Sequence, residues 1–160
     1  MAKILPTSPG PAGPTERLFV ALALPAPVRD ALAALAQPLP GVTWTRPEQL
    51  HITLRFLGDV PVDKIEPMIA RLAGVRVAPF VLPVEGTGAF PPNRPPRIVW
   101  AGTGSGHPHL FQLRQRLDDS LLAAGVQFDV RTFHAHVTLA RCSERAGAAL
   151  THWRHVHREF

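Results

Sequence analysis

The sequence predicts an α+β fold built from two similar halves, and three features lead to this expectation. Short apolar runs of strand length alternate with stretches of helical spacing along the 160 residues. Each half carries one copy of His-x-Thr-Leu, at 51–54 and at 136–139, within a run typical of a strand. The composition, 46% hydrophobic and 18% charged, is ordinary for a globular domain. We therefore expect a pseudo-twofold fold with a cleft between two lobes.

The order of elements follows from this pattern. Residues 1–16 are rich in Pro and are predicted to be a disordered tail, whereas residues 17–160 are predicted to form a single two-lobed domain. The first half is expected to contain a strand at 17–24, a helix at 25–37, strands at 42–45 and 50–57, and a helix at 62–72 that includes Pro67. The second half is expected to contain a strand at 79–90, a stiff loop at 91–96, a strand at 97–101, a helix from Leu110 to near Gly125, strands at 126–130 and 136–140, and a partly helical tail at 143–160.

Charge and cysteine content narrow the class of function. Lys and Arg together number 17 against 12 for Asp and Glu, a formal net charge of +5 that favours an anionic partner such as nucleic acid or a phosphate ester. Cys142 is the single cysteine, so no intrachain disulfide can form, and we expect a cytoplasmic protein. No segment approaches the roughly 18 apolar residues needed to span a bilayer, so no membrane partner is expected.

Polar side chains on two otherwise apolar strands form the candidate site. Side chains alternate between the two faces of a strand, so residues two apart share a face. The intervening apolar residues are then expected to pack in the core. The side chains expected to face the cleft are His51, Thr53 and Arg55 on the first strand and His134, His136 and Thr138 on the second.

Two facing imidazoles suit displacement at phosphorus. Their ordinary pKa near 6.5 lets one ring be neutral and the other protonated near pH 7. The neutral ring can take a proton from water, and the protonated ring can give one to the leaving oxygen. Thr hydroxyls can donate hydrogen bonds to nonbridging phosphate oxygens, while an Arg offsets developing charge. This residue set predicts a phosphoesterase that needs no metal.

The segments HITLRFLGDV and FHAHVTLAR resemble the signatures of the two-histidine phosphoesterase superfamily. Within it they resemble the RNA 2′,3′-cyclic phosphodiesterases, also called LigT-like 2′-5′ RNA ligases. RLFVALALP and PPRIVWAG resemble the first and central strands of that family, so the resemblance runs from about Arg17 to Cys142. It implies two antiparallel sheets around a central cleft with helices outside. It also implies hydrolysis of a 2′,3′-cyclic phosphate to a 2′-phosphate without cofactor, and a weak reverse 2′-5′ ligation.

The resemblance also implies residue roles. It makes His51 and His136 the catalytic pair, which we interpret as general acid and general base respectively. It makes Thr53, Thr138 and Arg141 phosphate contacts and Phe56 a base-stacking ring. Simple alternation, however, would place Phe56 and Arg141 on the face opposite the histidines. Arg55 and His134 complete the expected substrate-binding set, with His134 orienting a catalytic group by a hydrogen bond.

The sequence departs from the family pattern at two places, and two other functions remain as alternatives. The family usually has Pro where this chain has Ala135, and further C-terminal strands would be expected beyond Phe160. The alternatives are a noncatalytic RNA-binding module and a metal-dependent phosphohydrolase. The histidines that invite a metal are His107, His109, His152, His155 and His157, although we expect them to be exposed and no metal site to form. The expected partners are RNA ends or small cyclic nucleotides, bound by a monomer.

Overall fold

The structure, a computed structural model, describes residues 13–92, 94–104, 106–128 and 132–160. Within these residues the strands are β1 (Thr15–Ala23), β2 (Val42–Trp44), β3 (His51–Pro61), β4 (Glu85–Phe90), β5 (Ile98–Gly102) and β6 (His136–Cys142). The helices are α1 (Ala26–Ala33), α2 (Val62–Leu72), α3 (Pro108–Ala123) and α4 (Gly147–Val156), with 3-10 turns at Pro47–Gln49 and Glu144–Ala146. The predicted α+β class is confirmed.

Several element boundaries differ from the sequence-based expectation. β1 begins at Thr15, two residues before the expected domain start, and the Pro14 carbonyl accepts a hydrogen bond from the Val62 amide. Residues 1–12 of the predicted tail lie outside the described residues. α1 ends at Ala33 rather than at residue 37, and the strand predicted at 79–90 is confined to β4. Pro67 lies inside α2, where it has no backbone N–H to donate to the preceding turn. It is on the exposed side of the helix.

The strand predicted at 126–130 is wrong for residues 126–128, which form a loop after α3, and residues 129–130 lie outside the described part. The Val126 amide donates to the Leu121 carbonyl at 3.0 Å, so it closes the end of α3 instead of joining a strand. Val126 and Phe128 pack into a core cluster with Leu121. Their apolar alternation therefore reflects packing of a loop rather than strand pairing.

All six strands join one antiparallel sheet in the order β1-β3-β6-β5-β4, and β2 pairs with the far end of β6. β3 and β6 pair at one position, where Ile52 lies opposite Val137. The two sheets implied by the family resemblance are thus the two halves of this sheet, and they meet at that one pair. A junction of this kind lets the strands on either side diverge and leaves an opening above the pair.

The core lies against the opposite face of this junction. Ile52 and Val137 are buried in a cluster with Leu32 of α1 and Trp153 of α4. Two further clusters connect β3 to α2 and α3 through its later residues. The helices therefore cover the face that carries Ile52 and Val137, and the other face of the sheet centre is available for a site.

Candidate active site

The two His-x-Thr motifs, His51–Thr53 and His136–Thr138, lie side by side at the centre of the sheet. β3 and β6 run antiparallel, and the middle residues of the motifs, Ile52 and Val137, are paired. Stepping one residue in each direction places each histidine beside the threonine of the other motif. Ile52 and Val137 face the core, so the two histidines and two threonines share the opposite face, where all four are half-buried.

The neighbouring strands place small residues directly beside the two histidines. β1 places Ala23 beside His51, and β5 places Gly102 beside His136. The two histidines stand at diagonal positions of an antiparallel pair, whose Cβ atoms are typically about 7–8 Å apart or somewhat less. A gap of this size leaves room for one phosphate group between the two imidazoles.

Both imidazoles are oriented in the same way. Nδ1 of His51 is 2.6 Å from the Gln49 carbonyl oxygen, and Nδ1 of His136 is 2.7 Å from the His134 carbonyl oxygen. A carbonyl oxygen only accepts, so Nδ1 carries the hydrogen in each ring. Nε2 is then the atom that can accept a proton when the ring is neutral and donate one when it is charged.

Each of the two strands contains a β-bulge directly after its threonine. On β3 the register with β1 passes from Thr53 to Arg55 and leaves Leu54 without a partner. On β6 the register with β5 passes from Thr138 to Ala140 and leaves Leu139 without a partner. A bulge inserts one residue and so reverses the alternation of side chains beyond it.

The bulges correct the predicted faces of three residues. Phe56 and Arg141 are exposed and line the cleft, so the expectation from simple alternation that they lie opposite the histidines is wrong. Arg55, predicted to face the cleft, is only 4% exposed, and its Nε donates to Asp118 Oδ1 at 2.8 Å. A second guanidinium nitrogen bonds the other Asp118 oxygen, and the group lies 4.6 Å above the Phe128 ring. Arg55 therefore joins β3 to α3.

The cleft has a volume of about 640 Å³. It is lined by Phe19, Thr43, Trp44, Thr45, Glu48, Gln49, His51, Thr53, Phe56, Thr138 and Arg141. Phe19 was not predicted as a site residue from the sequence; its ring stacks on His51 at 4.9 Å and lies 6.2 Å from Phe56. Thr43, Thr45, Glu48 and Gln49 were not predicted either, and their proximity to His51 along the chain was the available signal.

His136 has a different environment, outside the lining of that cleft. Its ring meets the edge of Phe90 at 5.3 Å and lies 6.0 Å from the His134 ring. The pKa of His136 is lowered, and burial of the ring is the largest cause. The hydrogen bond to the His134 carbonyl acts in the opposite direction and raises the pKa. The nearby imidazoles of His134 and His51 lower the pKa further. His134 orients His136 through its backbone carbonyl oxygen, which accepts the hydrogen bond from Nδ1 of His136, and not through its imidazole.

The other histidines and the cysteine considered in the sequence have partners or environments outside the site. The His107 side chain accepts a hydrogen bond from the His109 amide at the start of α3, and its ring stacks on Phe80 at 4.6 Å. Cys142 is buried, and this burial raises the pKa of its thiol. Across the described ranges, no three His, Cys, Asp or Glu side chains cluster as metal ligands would. None of the helices described is both long and apolar enough to cross a membrane.

Known proteins are similar to this chain in sequence and in fold. The sequence model of a family described as LigT like Phosphoesterase matches residues 22–100. The RNA 2′,3′-cyclic phosphodiesterase of Archaeoglobus fulgidus is 36% identical over 132 residues, which cover 81% of this chain and 74% of that protein. The crystal structure of Escherichia coli LigT complexed with 3′-AMP superimposes with a TM-score of 0.68 and 30% identity, covering 81% of this chain and 75% of that one. Complexes of the same protein with NADP+ and ATP also match.

The fold, with one His-x-Thr motif on each of two antiparallel central strands, and these similarities define the class of the protein as a phosphoesterase. It belongs to the family of LigT-like phosphoesterases. The extent of the match varies among relatives. The RNA 2′,3′-cyclic phosphodiesterase of Geobacillus stearothermophilus is 36% identical over 129 residues, and this chain spans only 41% of the length of that protein.

Proposed function

We propose that this chain hydrolyses a 2′,3′-cyclic phosphate on an RNA end or a nucleotide and releases a 2′-phosphate. The observation that carries the proposal is the antiparallel pairing of the two His-x-Thr motifs, each with its Nδ1 bound to a carbonyl. The names of the relatives and the 3′-AMP complex of Escherichia coli LigT support the same substrate class.

In the proposed reaction the cyclic phosphate lies between the two histidines. A water molecule attacks phosphorus in line with the bond to O3′, and Nε2 of His136 accepts its proton. The lowered pKa of His136 supports this role, because a base must be neutral at the start. The P–O3′ bond breaks as Nε2 of protonated His51 donates its proton to O3′. Phosphorus stays on O2′, so the product is a 2′-phosphate and a free 3′-hydroxyl.

The remaining cleft residues bind the substrate in this proposal. The hydroxyls of Thr53 and Thr138 donate hydrogen bonds to the nonbridging oxygens, whose charge grows in the transition state. Arg141 lines the same cleft and supplies a positive charge. Phe56, with Phe19 nearby, offers a face on which a base can stack.

We further propose that the protein acts as a monomer in the cytoplasm and needs no metal or cofactor. Every residue given a role belongs to one chain, so no second copy is required to complete the site. A single cysteine and an RNA substrate favour a reducing, RNA-containing compartment. With a 5′-hydroxyl in place of water as the nucleophile, the same opening of the cyclic phosphate would break the P–O3′ bond and form a 2′-5′ bond, which we propose as a minor activity.

Hydrolysis of 2′,3′-cyclic AMP, and of a short RNA that ends in a cyclic phosphate, tests the function directly in the presence of EDTA. His51→Ala and His136→Ala should each lower kcat/KM by about 10²–10⁴, the usual contribution of a general acid or base. His152→Ala is the matched control, because His152 is exposed on α4 and should retain activity.

Three outcomes would overturn parts of the proposal. Full activity of both active-site alanine variants would refute the catalytic pair. Binding of RNA by the wild type with no turnover of any cyclic phosphate would favour a noncatalytic RNA-binding module. Loss of activity in EDTA, restored by a divalent metal, would favour a metal-dependent phosphohydrolase.

A further inference from the structure

The two histidines have different aromatic neighbours, although the strands that carry them are related by the local twofold of the junction. His51 contacts the ring of Phe19, stacked at 4.9 Å with planes 25° apart. His136 lies among the rings of Phe90, Trp100 and His134, here called the ring cluster, with centroids at 5.3, 6.2 and 6.0 Å. This difference gives the site an asymmetry that the motifs themselves lack.

Trp100 lies beside His136 because two glycines make room for its indole. A Cβ on Gly88, which pairs with Trp100 across β4 and β5, would be 2.1 Å from the indole Cζ2. A Cβ on Gly102, which pairs with His136, would be 3.3 Å from the indole Cζ3. The indole therefore lies flat against the backbone of these strands. In the first half of the fold, the residue beside the motif threonine is Ala21 rather than a tryptophan.

The ring cluster is internally packed. Phe90 and Trp100 are 5.3 Å apart, and Trp100 meets His134 at 4.8 Å with planes 66° apart. Phe90 meets His136 nearly edge-on, at 82°. Aromatic pairs favour tilted and edge-on arrangements at these separations. Because Phe90 and Trp100 contact each other as well as His136, reorientation of the His136 imidazole would disturb this ring packing.

We propose that Phe90 and Trp100 are positioning residues of the reaction, which hold the His136 imidazole in its carbonyl-bound orientation and shield it from water, so that Nε2 remains the proton acceptor. The assignment rests on the proposed function for the identity of the substrate. It explains why one member of a symmetric pair serves as the base. The counterpart, His51, lines the cleft and has the stacked ring of Phe19 as its aromatic neighbour.

The ionisable groups around His136 act on its pKa in the same direction as its burial. The ionisable groups that face it are His134, from the preceding loop, and His51, across the junction. A positive charge on either would oppose protonation of His136. Burial adds to this and lowers the pKa of His136, whereas the hydrogen bond to the His134 carbonyl works the other way. Removal of the rings should therefore admit water and raise the pKa of His136 toward its ordinary value near 6.5.

Phe90→Leu and Gly88→Ala test the proposal from two directions. The first removes a ring, and the second leaves every ring present but displaces Trp100 with a methyl group. The readouts are kcat/KM for 2′,3′-cyclic AMP between about pH 4.5 and 8.5 and the NMR titration of the His136 ring protons. Both variants should move the acidic limb and the NMR midpoint to higher pH. Below the pKa, each unit of this shift removes tenfold of the neutral base, so the loss of activity should be largest at acid pH and smallest at pH 8.

Phe80→Leu is the matched control. Phe80 stacks on His107 at 4.6 Å, outside the site, so its removal should leave the pH profile and the His136 titration unchanged. An equal loss of activity at every pH, with an unmoved His136 titration in both folded variants, would overturn the proposal. The NMR titration needs no substrate. A wild type that does not hydrolyse cyclic phosphates would refute the proposed function and leave that titration to decide the positioning role.

Discussion

Arg55→Leu is expected to destabilise the protein without removing catalysis. The sequence alone places Arg55 on the cleft face with His51, whereas the bulge at Leu54 turns it toward Asp118 on α3. Arg55 is only 4% exposed, and Asp118 is 19% exposed. A leucine at this position would leave the Asp118 carboxylate without its main partner in a largely buried place.

The size of the effect follows from these surroundings. Removal of one partner of a buried ion pair typically costs about 3–5 kcal/mol, because the other charge stays buried. Arg114 also lies close enough to Asp118 for their charges to attract, and it would partly compensate. We therefore expect a loss of about 3 kcal/mol, the lower end of that range. For a chain of this size the loss corresponds to a fall in Tm of about 6–12 °C.

Urea unfolding at pH 7 measures the loss of stability, and kcat/KM for 2′,3′-cyclic AMP measures catalysis under conditions where the variant is folded. The double variant Arg55→Leu/Asp118→Leu is the control, and it should recover much of the lost stability because no buried charge is left alone. An unchanged unfolding free energy together with a loss of activity of about 100-fold or more would refute this reasoning. It would show that Arg55 acts on the substrate after all.

Two further predictions concern the cleft and the turn before β2. Thr53→Val and Thr138→Val each remove one hydrogen-bond donor to a charged phosphate and keep the shape of the side chain. Such a bond is worth about 1.5–3 kcal/mol, so each variant should lower kcat/KM by about 10–150-fold. Wild-type rates in both variants would contradict the role of the two threonines. Gly41→Ala should cost more than about 1 kcal/mol in urea unfolding, because φ is +73° and the new Cβ would be 2.7 Å from Ser143 Oγ. Gly58→Ala, at φ +70° with nothing within 4 Å, should cost less, and equal costs would show that the close contact is unimportant.

The central part of the site could be predicted from the sequence because strand alternation is a local property. His51 and Thr53 lie two residues apart within an apolar run, and so do His136 and Thr138, which is enough to place each pair on one face. The buried residues between them, Ile52 and Val137, follow from the same rule. The helix expected from Leu110 to near Gly125 likewise follows from the helical spacing of its leucines and is observed as α3, and the helix expected at 62–72 is observed as α2.

The sequence did not reveal the bulges, because a bulge depends on the neighbouring strand. Leu54 is left unpaired by the register of β1 against β3, and Leu139 by that of β5 against β6. Nothing in the local pattern of either strand marks these positions. The faces of Arg55, Phe56 and Arg141 were therefore assigned incorrectly by simple alternation.

The sequence by itself determined which side chains can carry the chemistry, namely two histidines and two threonines on matching strands. Only the tertiary structure decided what surrounds them. The partner of Arg55 is 63 residues away, and the rings around His136 come from β4, β5 and the loop before β6. Side-chain alternation is set by the chain's own backbone, whereas these contacts exist only once distant strands and helices have packed. That is why the two histidines, equivalent as motifs, differ in the folded protein.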